Sequence, residues 1–207
     1  MFKINKLYAN IYIQYMILFF IIFVLIFIPY WYYDKGFIWE DDGPLVHYPT
    51  FIYCSNYLKN LIINLYNGDF ILPLFDFRIE GGGDVLQILH THALGDPFNL
   101  LTLFFSENRL EFCYNFLIIL RMFLSGFVLC ILGRYFKFDK NGILLGALMY
   151  CFCGYAIFAS IKHPYFTNPM IFLPLLILGI EKILQENKYK LFLICLPIAG
   201  ISSFYFF

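Results

Sequence analysis

Charge is scarce in this chain. Only 14% of its 207 residues are Asp, Glu, Lys or Arg, while 61% are hydrophobic and 22% aromatic. A soluble domain is about half apolar and about a quarter charged, so the composition excludes one and implies a chain that crosses a membrane several times. The 14 basic residues are balanced by 14 acidic ones, and without a basic excess no nucleic-acid partner is expected. No small-residue cleavage site follows the first apolar run, which is therefore a retained helix and not a signal peptide. No Gly-Lys-Ser/Thr follows the three glycines Gly81-Gly82-Gly83, which excludes a soluble-type phosphate loop. Cys151-Phe152-Cys153 lacks the spacing of a redox pair or zinc knuckle. Four of the six cysteines sit in apolar runs, where a thiol acts as a small hydrophobe. Whether Cys54 and Cys113 pair is left open by the sequence.

What is present is a series of apolar runs of about membrane-spanning length, roughly 20 residues each. They fall at 13–33, 112–133, 142–161, 170–184 and 191–207. The first ends in Pro29-Tyr30-Trp31-Tyr32-Tyr33, an interfacial aromatic belt. Lys3 and Lys6 precede it, Arg134, Lys137 and Lys140 follow the second, and Lys182 at the end of the fourth is followed by Lys188 and Lys190. Cations favour the cytoplasmic side, so the N-terminus is expected inside and the segment 34–110 outside. The fold class is an all-α polytopic membrane protein, with about five transmembrane helices and a large first extracytoplasmic loop containing amphipathic helices. The whole of 1–207 reads as a single membrane module. Its last run is still apolar at Phe207, and the chain is expected to be part of a longer one.

The first loop carries most of the candidate chemistry. It opens with Glu40-Asp41-Asp42-Gly43-Pro44, three carboxylates at the end of a span, followed by His47. An acidic helix cap ahead of Pro44 explains Asp41 or Asp42 in structural terms. Residues 45–66 show an approximate helical stripe of Tyr48, Phe51, Ile52, Leu58, Ile62 and Leu65. Asn67-Gly68-Asp69 marks a turn. The glycine triplet permits a flexible hinge or a close approach to a ligand. His90 and His92, two apart, share one face of a strand but not of a helix. Gly95-Asp96-Pro97-Phe98-Asn99 marks a further turn. Arg121 lies well inside the second span. A cation there is costly and marks either a functional position or a structural ion pair, unless it snorkels to the surface.

The order of motifs resembles that of the bacterial YfhO-type membrane proteins. The resemblance rests on Asp42-Gly43 with His47-Tyr48-Pro49, on Phe75-Asp76-Phe77 with Gly81-Gly82-Gly83-Asp84, and on Gly95-Asp96-Pro97-Phe98-Asn99. It continues through Leu120-Arg121-Met122-Phe123-Leu124-Ser125-Gly126, His163-Pro164-Tyr165-Phe166-Thr167-Asn168-Pro169, Leu173-Pro174-Leu175, Gly179-Ile180-Glu181 and Ser203-Phe204-Tyr205-Phe206. Each motif is weak alone, but together they cover nearly the whole chain.

Such proteins are similar to polytopic glycosyltransferases of the GT-C type and are several times longer than this chain, which would supply the N-terminal portion. The resemblance implies transfer of a sugar from a polyprenyl-phosphate carrier to a cell-envelope polymer such as teichoic acid, on the outer face of the membrane. It implies Asp42 as the general base, with Asp41 second. Arg121 would hold the lipid phosphate, with Arg78 and Lys162 as alternatives nearer the surface, and Asp84, His47, His90 and His163 would line the sugar or acceptor pocket. No cofactor and no metal is implied. Partners would be the lipid-linked sugar, the acceptor polymer, the bilayer, a flippase and a transferase that makes the donor. A transporter or flippase of lipid-linked sugars and a non-catalytic membrane subunit are the other classes. Transport would draw support from internal repeats with broken helices, and no repeat is evident.

Overall fold

The computed structural model describes residues 10–69, 72–79, 81–90 and 94–202, the side chain of His90 excepted. The fold is all-α, with a single two-stranded hairpin among the described residues. The helices are α1 (Ile11–Tyr32), α2 (Tyr48–Tyr66), α3 (Val85–His90), α4 (Leu110–Tyr135), α5 (Lys140–Cys151), α6 (Gly154–Lys162), α7 (Asn168–Glu186) and α8 (Lys190–Ser202). Four stretches are long and apolar enough to cross a membrane: Ile11–Tyr32, Glu107–Tyr135, Lys140–Lys162 and Pro164–Glu186. The fifth expected span is helical over Lys190–Ser202, a shorter apolar helix, and its end at 203–207 lies outside the described residues. The chain divides into two compact units, residues 1–37 with 118–196, and residues 38–117 with 197–207.

The first unit is built on α1. Asn10 caps it, its side chain accepting the backbone N–H of Tyr12 at 3.0 Å. Its buried residues, Ile11, Tyr15, Phe19, Phe23 and Phe27, recur every fourth position and so stand one above another. The opposite side stays exposed and apolar, Leu25 to 68% and Ile28 to 53%. A helix apolar all round with one packed stripe suits a bilayer. Lipid tails are as apolar as phenylalanine, so the stripe is held by close packing and hydrogen bonds. Phe19 stacks on Phe152 at 5.2 Å and meets Phe123 edge-on at 5.3 Å. The hydroxyl of Tyr15 donates to the Phe123 carbonyl at 2.8 Å. Gly126 on α4 makes this approach possible, because a Cβ there would come within 2.8 Å of the Ala147 carbonyl oxygen on α5.

The third span differs from its expected form. One continuous helix over 142–161 becomes α5 and α6, broken at Phe152–Cys153. The Phe152 N–H closes α5 on the Leu148 carbonyl, and the Cys153 thiol then caps α6 by accepting the N–H of Ala156 at 3.4 Å. All six cysteines are free thiols, so Cys54 and Cys113 do not pair.

The second unit holds α2, the hairpin and α3. The burying face of α2 is Phe51, Cys54, Ser55 and Tyr57. Of the expected apolar stripe only Phe51 belongs to it, whereas Ile62 and Leu65 are exposed. Tyr57 packs with Val85 and Leu89 of α3 in a small core. The three glycines form a hairpin turn. Gly81 and Gly82 take positive φ of 81° and 116°, which side chains disfavour, and Gly83 pairs with Asp76. Asn67-Gly68-Asp69 turns as expected, with Gly68 at φ 85°.

Candidate functional site

Asp42 occupies the cap position of a single π-helical turn, Gly43–His47, with Pro44 in the first turn as the sequence anticipated. Its carboxylate makes no capping hydrogen bond. Capping therefore does not account for the residue. The turn is closed by the Tyr48 N–H donating to the Gly43 carbonyl, five residues back. In an α-helix residues five apart turn to different faces, whereas this wider ring carries them toward one another. A carboxylate oxygen of Asp42 and a ring nitrogen of His47 consequently lie within 4.8 Å. His47 is buried and Asp42 half-buried, while Asp41 and Glu40 are exposed. A carboxylate and an imidazole so placed can pass a proton between them through one bridging water. They also offer two donors to a divalent cation.

Arg121 lies in the first unit and is only 2% exposed, so it does not snorkel. Its Nε donates to the Asn168 side-chain oxygen at 3.1 Å, and its guanidinium lies 5.6 Å from the ring centre of Tyr165. Both partners come from the turn Pro164–Thr167 and the first residue of α7. The Thr167 hydroxyl fixes that turn by donating to the Pro164 carbonyl at 2.6 Å. Asn168 is fully buried, and its amide nitrogen finds no acceptor among the described residues. An unmet buried donor costs about 1–3 kcal/mol. Asn168 and Tyr165 are neutral, so they solvate the guanidinium without cancelling its charge. The arrangement is a buried cation with a spare N–H donor beside it, which suits an oxyanion.

The other expected residues are placed as follows. His163 ends α6, half-buried, its ring 5.0 Å from that of Phe166. Lys162 lies over the Phe158 ring at 5.6 Å. Asp84 caps α3, accepting the Gln87 N–H at 2.8 Å, which gives it a structural role. Arg78 is 82% exposed at its side chain and bonded to Asp76, with Nη2 to Oδ2 at 2.8 Å. The side chain of His90 and the whole of His92 lie outside the described residues.

Sequence reasoning missed Asp76 and Tyr53. The Tyr53 hydroxyl donates to the Asp76 carboxylate at 2.7 Å. Hydrogen bonds from the Arg78 side chain, then its backbone N–H, then Tyr53 hold Asp76 well below the usual carboxylate range. Burial, and then the bond to Asp76, push Tyr53 up to about 12. Asp76 had been noted only as part of Phe75-Asp76-Phe77, and nothing in spacing linked it to a tyrosine 23 residues away.

An apolar helical array with a buried arginine, joined in sequence to a polar unit with a carboxylate–imidazole pair, defines a polytopic membrane protein with polar sites. The sequence profile of the family described as bacterial membrane protein YfhO matches residues 15–206. The chain belongs to that family and is a membrane protein. No curated protein and no solved structure matches it.

Proposed function

We propose that the chain is the N-terminal module of a GT-C-type glycosyltransferase. It takes a sugar from a polyprenyl-phosphate carrier and passes it to an envelope polymer such as a teichoic acid. Asp42 removes the proton of the acceptor hydroxyl, and that oxygen forms a bond to the anomeric carbon. The bond from that carbon to the phosphate oxygen breaks, and its electron pair leaves with the lipid phosphate. Arg121 and the Asn168 amide nitrogen take up the growing negative charge. His47, beside Asp42, orients the carboxylate or relays its proton. His163, His90, Asp84 and Arg78 remain proposed contacts to sugar or acceptor, and Asp41 the second choice of base. Residues 1–207 serve as a single membrane module, with the N-terminus in the cytoplasm and segment 34–110 on the outer side. A flippase and a donor-making transferase would supply the lipid-linked sugar.

The observation that carries this reading is the buried Arg121 with the unmet Asn168 donor at its side. Asn168 serves Arg121 as an acceptor through its oxygen, and its unmet N–H adds a donor that an oxyanion would satisfy. The test is binding of polyprenyl phosphate to the purified protein in nanodiscs. Arg121→Leu and Asn168→Ala are each expected to weaken binding, Arg121→Leu by about 10–100-fold, as loss of a charged hydrogen bond implies. Binding unchanged in both variants would remove the phosphate site. One observation favours a transporter instead, namely the break in the third span at Phe152–Cys153. Transport predicts that Asp42→Asn leaves lipid-linked sugar crossing intact and that Arg121→Leu stops it.

A further inference from the structure

The second unit contains a cleft of about 430 Å³, of whose lining the chemistry above draws only on Arg78. One wall is α2. Asn56, Asn60 and Asn64 line it at four-residue spacing, so three carboxamides stand in one row along the helix. Tyr53, Tyr57 and Leu61 form the neighbouring row at the same spacing and also line the cleft. The facing wall is the segment that carries Pro73, Asp76 and Arg78. It is pinned to the helix by two tyrosine hydroxyls, Tyr53 to Asp76 at 2.7 Å and Tyr57 to the Pro73 carbonyl at 3.0 Å. Lys59 anchors the same helix to the Phe105 carbonyl at 2.8 Å. The site is thus held by its own hydrogen bonds before anything binds.

The lining is polar yet balanced in charge. Lys59 and Arg78 are offset by Asp76 and Glu107, and Arg78 is already bonded to Asp76. The groups left to meet a ligand are the carboxamides, for which no partner is found among the described residues. Each carboxamide offers one acceptor oxygen and two N–H donors, which is the complement of adjacent hydroxyls that both give and take hydrogen bonds. The half-buried ring of Tyr53 offers an apolar face. A sugar ring presents the matching pair, hydroxyls at its edge and a C–H surface on its face.

We propose that this cleft is a saccharide-binding subsite, in which Asn56, Asn60 and Asn64 take the hydroxyls and Tyr53 takes the ring face. Its ligand is a neutral saccharide of about two rings. Its assignment as the subsite for saccharide units carried by the envelope-polymer acceptor rests on the transferase reading, whereas saccharide binding itself does not.

The test is saturation-transfer NMR on the whole chain in nanodiscs, with maltose, lactose and diacetylchitobiose as probes and glycerol 3-phosphate as the charged comparison. At least one disaccharide is expected to take up saturation. Asn60→Ala/Asn64→Ala is expected to raise its half-saturating concentration about tenfold or more, and Tyr53→Ala to do the same while Tyr53→Phe largely keeps binding. Should the double variant lose its helical circular dichroism, Asn60→Ala alone, at an exposed position, carries the test with an expected rise of about fivefold. The proposal is overturned if no disaccharide binds, or if the asparagine variants bind as the wild type does. It is equally overturned if glycerol 3-phosphate binds best and is lost as salt rises. Asp42→Asn separates the two readings, because it should retain disaccharide binding while losing transfer. Disaccharide binding in a protein that transfers no sugar would sink the transferase and leave the cleft standing.

Discussion

The two units solve the problem of a polar group in opposite ways. In the first, the array around α1 and α4 is almost wholly apolar, and Arg121 is buried there against Asn168 and Tyr165, two neutral and buried partners. In the second, polar groups are abundant and bond mainly to one another. Asp76 is held by Arg78 and Tyr53, Asp84 caps a helix, and Lys59 binds a carbonyl. A single charge in an apolar array is costly and signals purpose. A single charge in a polar segment signals nothing until its partners are known. Asp42 matters for the second reason, as a carboxylate that holds the capping position without making the capping bond.

The contrast can be broken at its packing first. Gly126→Val should lower the stability of the first unit by about 1–3 kcal/mol or more, since overpacking a tight contact costs that much. Thermal unfolding of the nanodisc-bound protein reads the loss, and an unchanged midpoint would mean that α4 and α5 do not approach as described. A smaller effect is expected from acid in the second unit. The folded pKa of Asp76 lies below its unfolded value of about 3.9. Its contribution is therefore present above about pH 4 and is lost as pH falls toward the folded value. Amide exchange over residues 72–79, corrected for intrinsic rates, should be flat from about pH 7 to 5 and should rise below about pH 4. In Asp76→Asn the fast exchange should already be present at neutral pH. The smallest effect is that of Tyr53→Phe, which removes one bond to Asp76 and leaves those from Arg78. It should speed exchange in the same segment by only a few-fold, and exchange as fast as in Asp76→Asn would reverse the order of the two contacts.

Much of this was legible in the residues. Apolar runs long enough to span a bilayer, the turn at Asn67-Gly68-Asp69 and the placement of Pro44 all follow from local chemistry, and the structure has them. The pairing of Asp42 with His47 did not follow, because it depends on a π turn, and no residue pattern announces one. The break in the third span turns on a thiol accepting a backbone N–H, a weak cap that composition alone reads as an apolar cysteine. The glycine triplet allowed a hinge or a ligand contact, and the hairpin turn that it forms instead depends on the pairing of Gly83 with Asp76, which no local pattern shows. Asn168 lay in plain view within His163-Pro164-Tyr165-Phe166-Thr167-Asn168-Pro169. Its partnership with Arg121 spans 47 residues and needed the fold.

The central claim is that the carboxylate of Asp42 accepts the acceptor's proton. It is tested most directly by timing transfer of a labelled sugar from a polyprenyl-phosphate donor in membranes carrying the full-length Asp42→Asn protein. The expected result is normal insertion and normal donor binding with the transfer rate down by about 100-fold or more, the range that loss of a general base produces. Transfer at the wild-type rate would contradict the account.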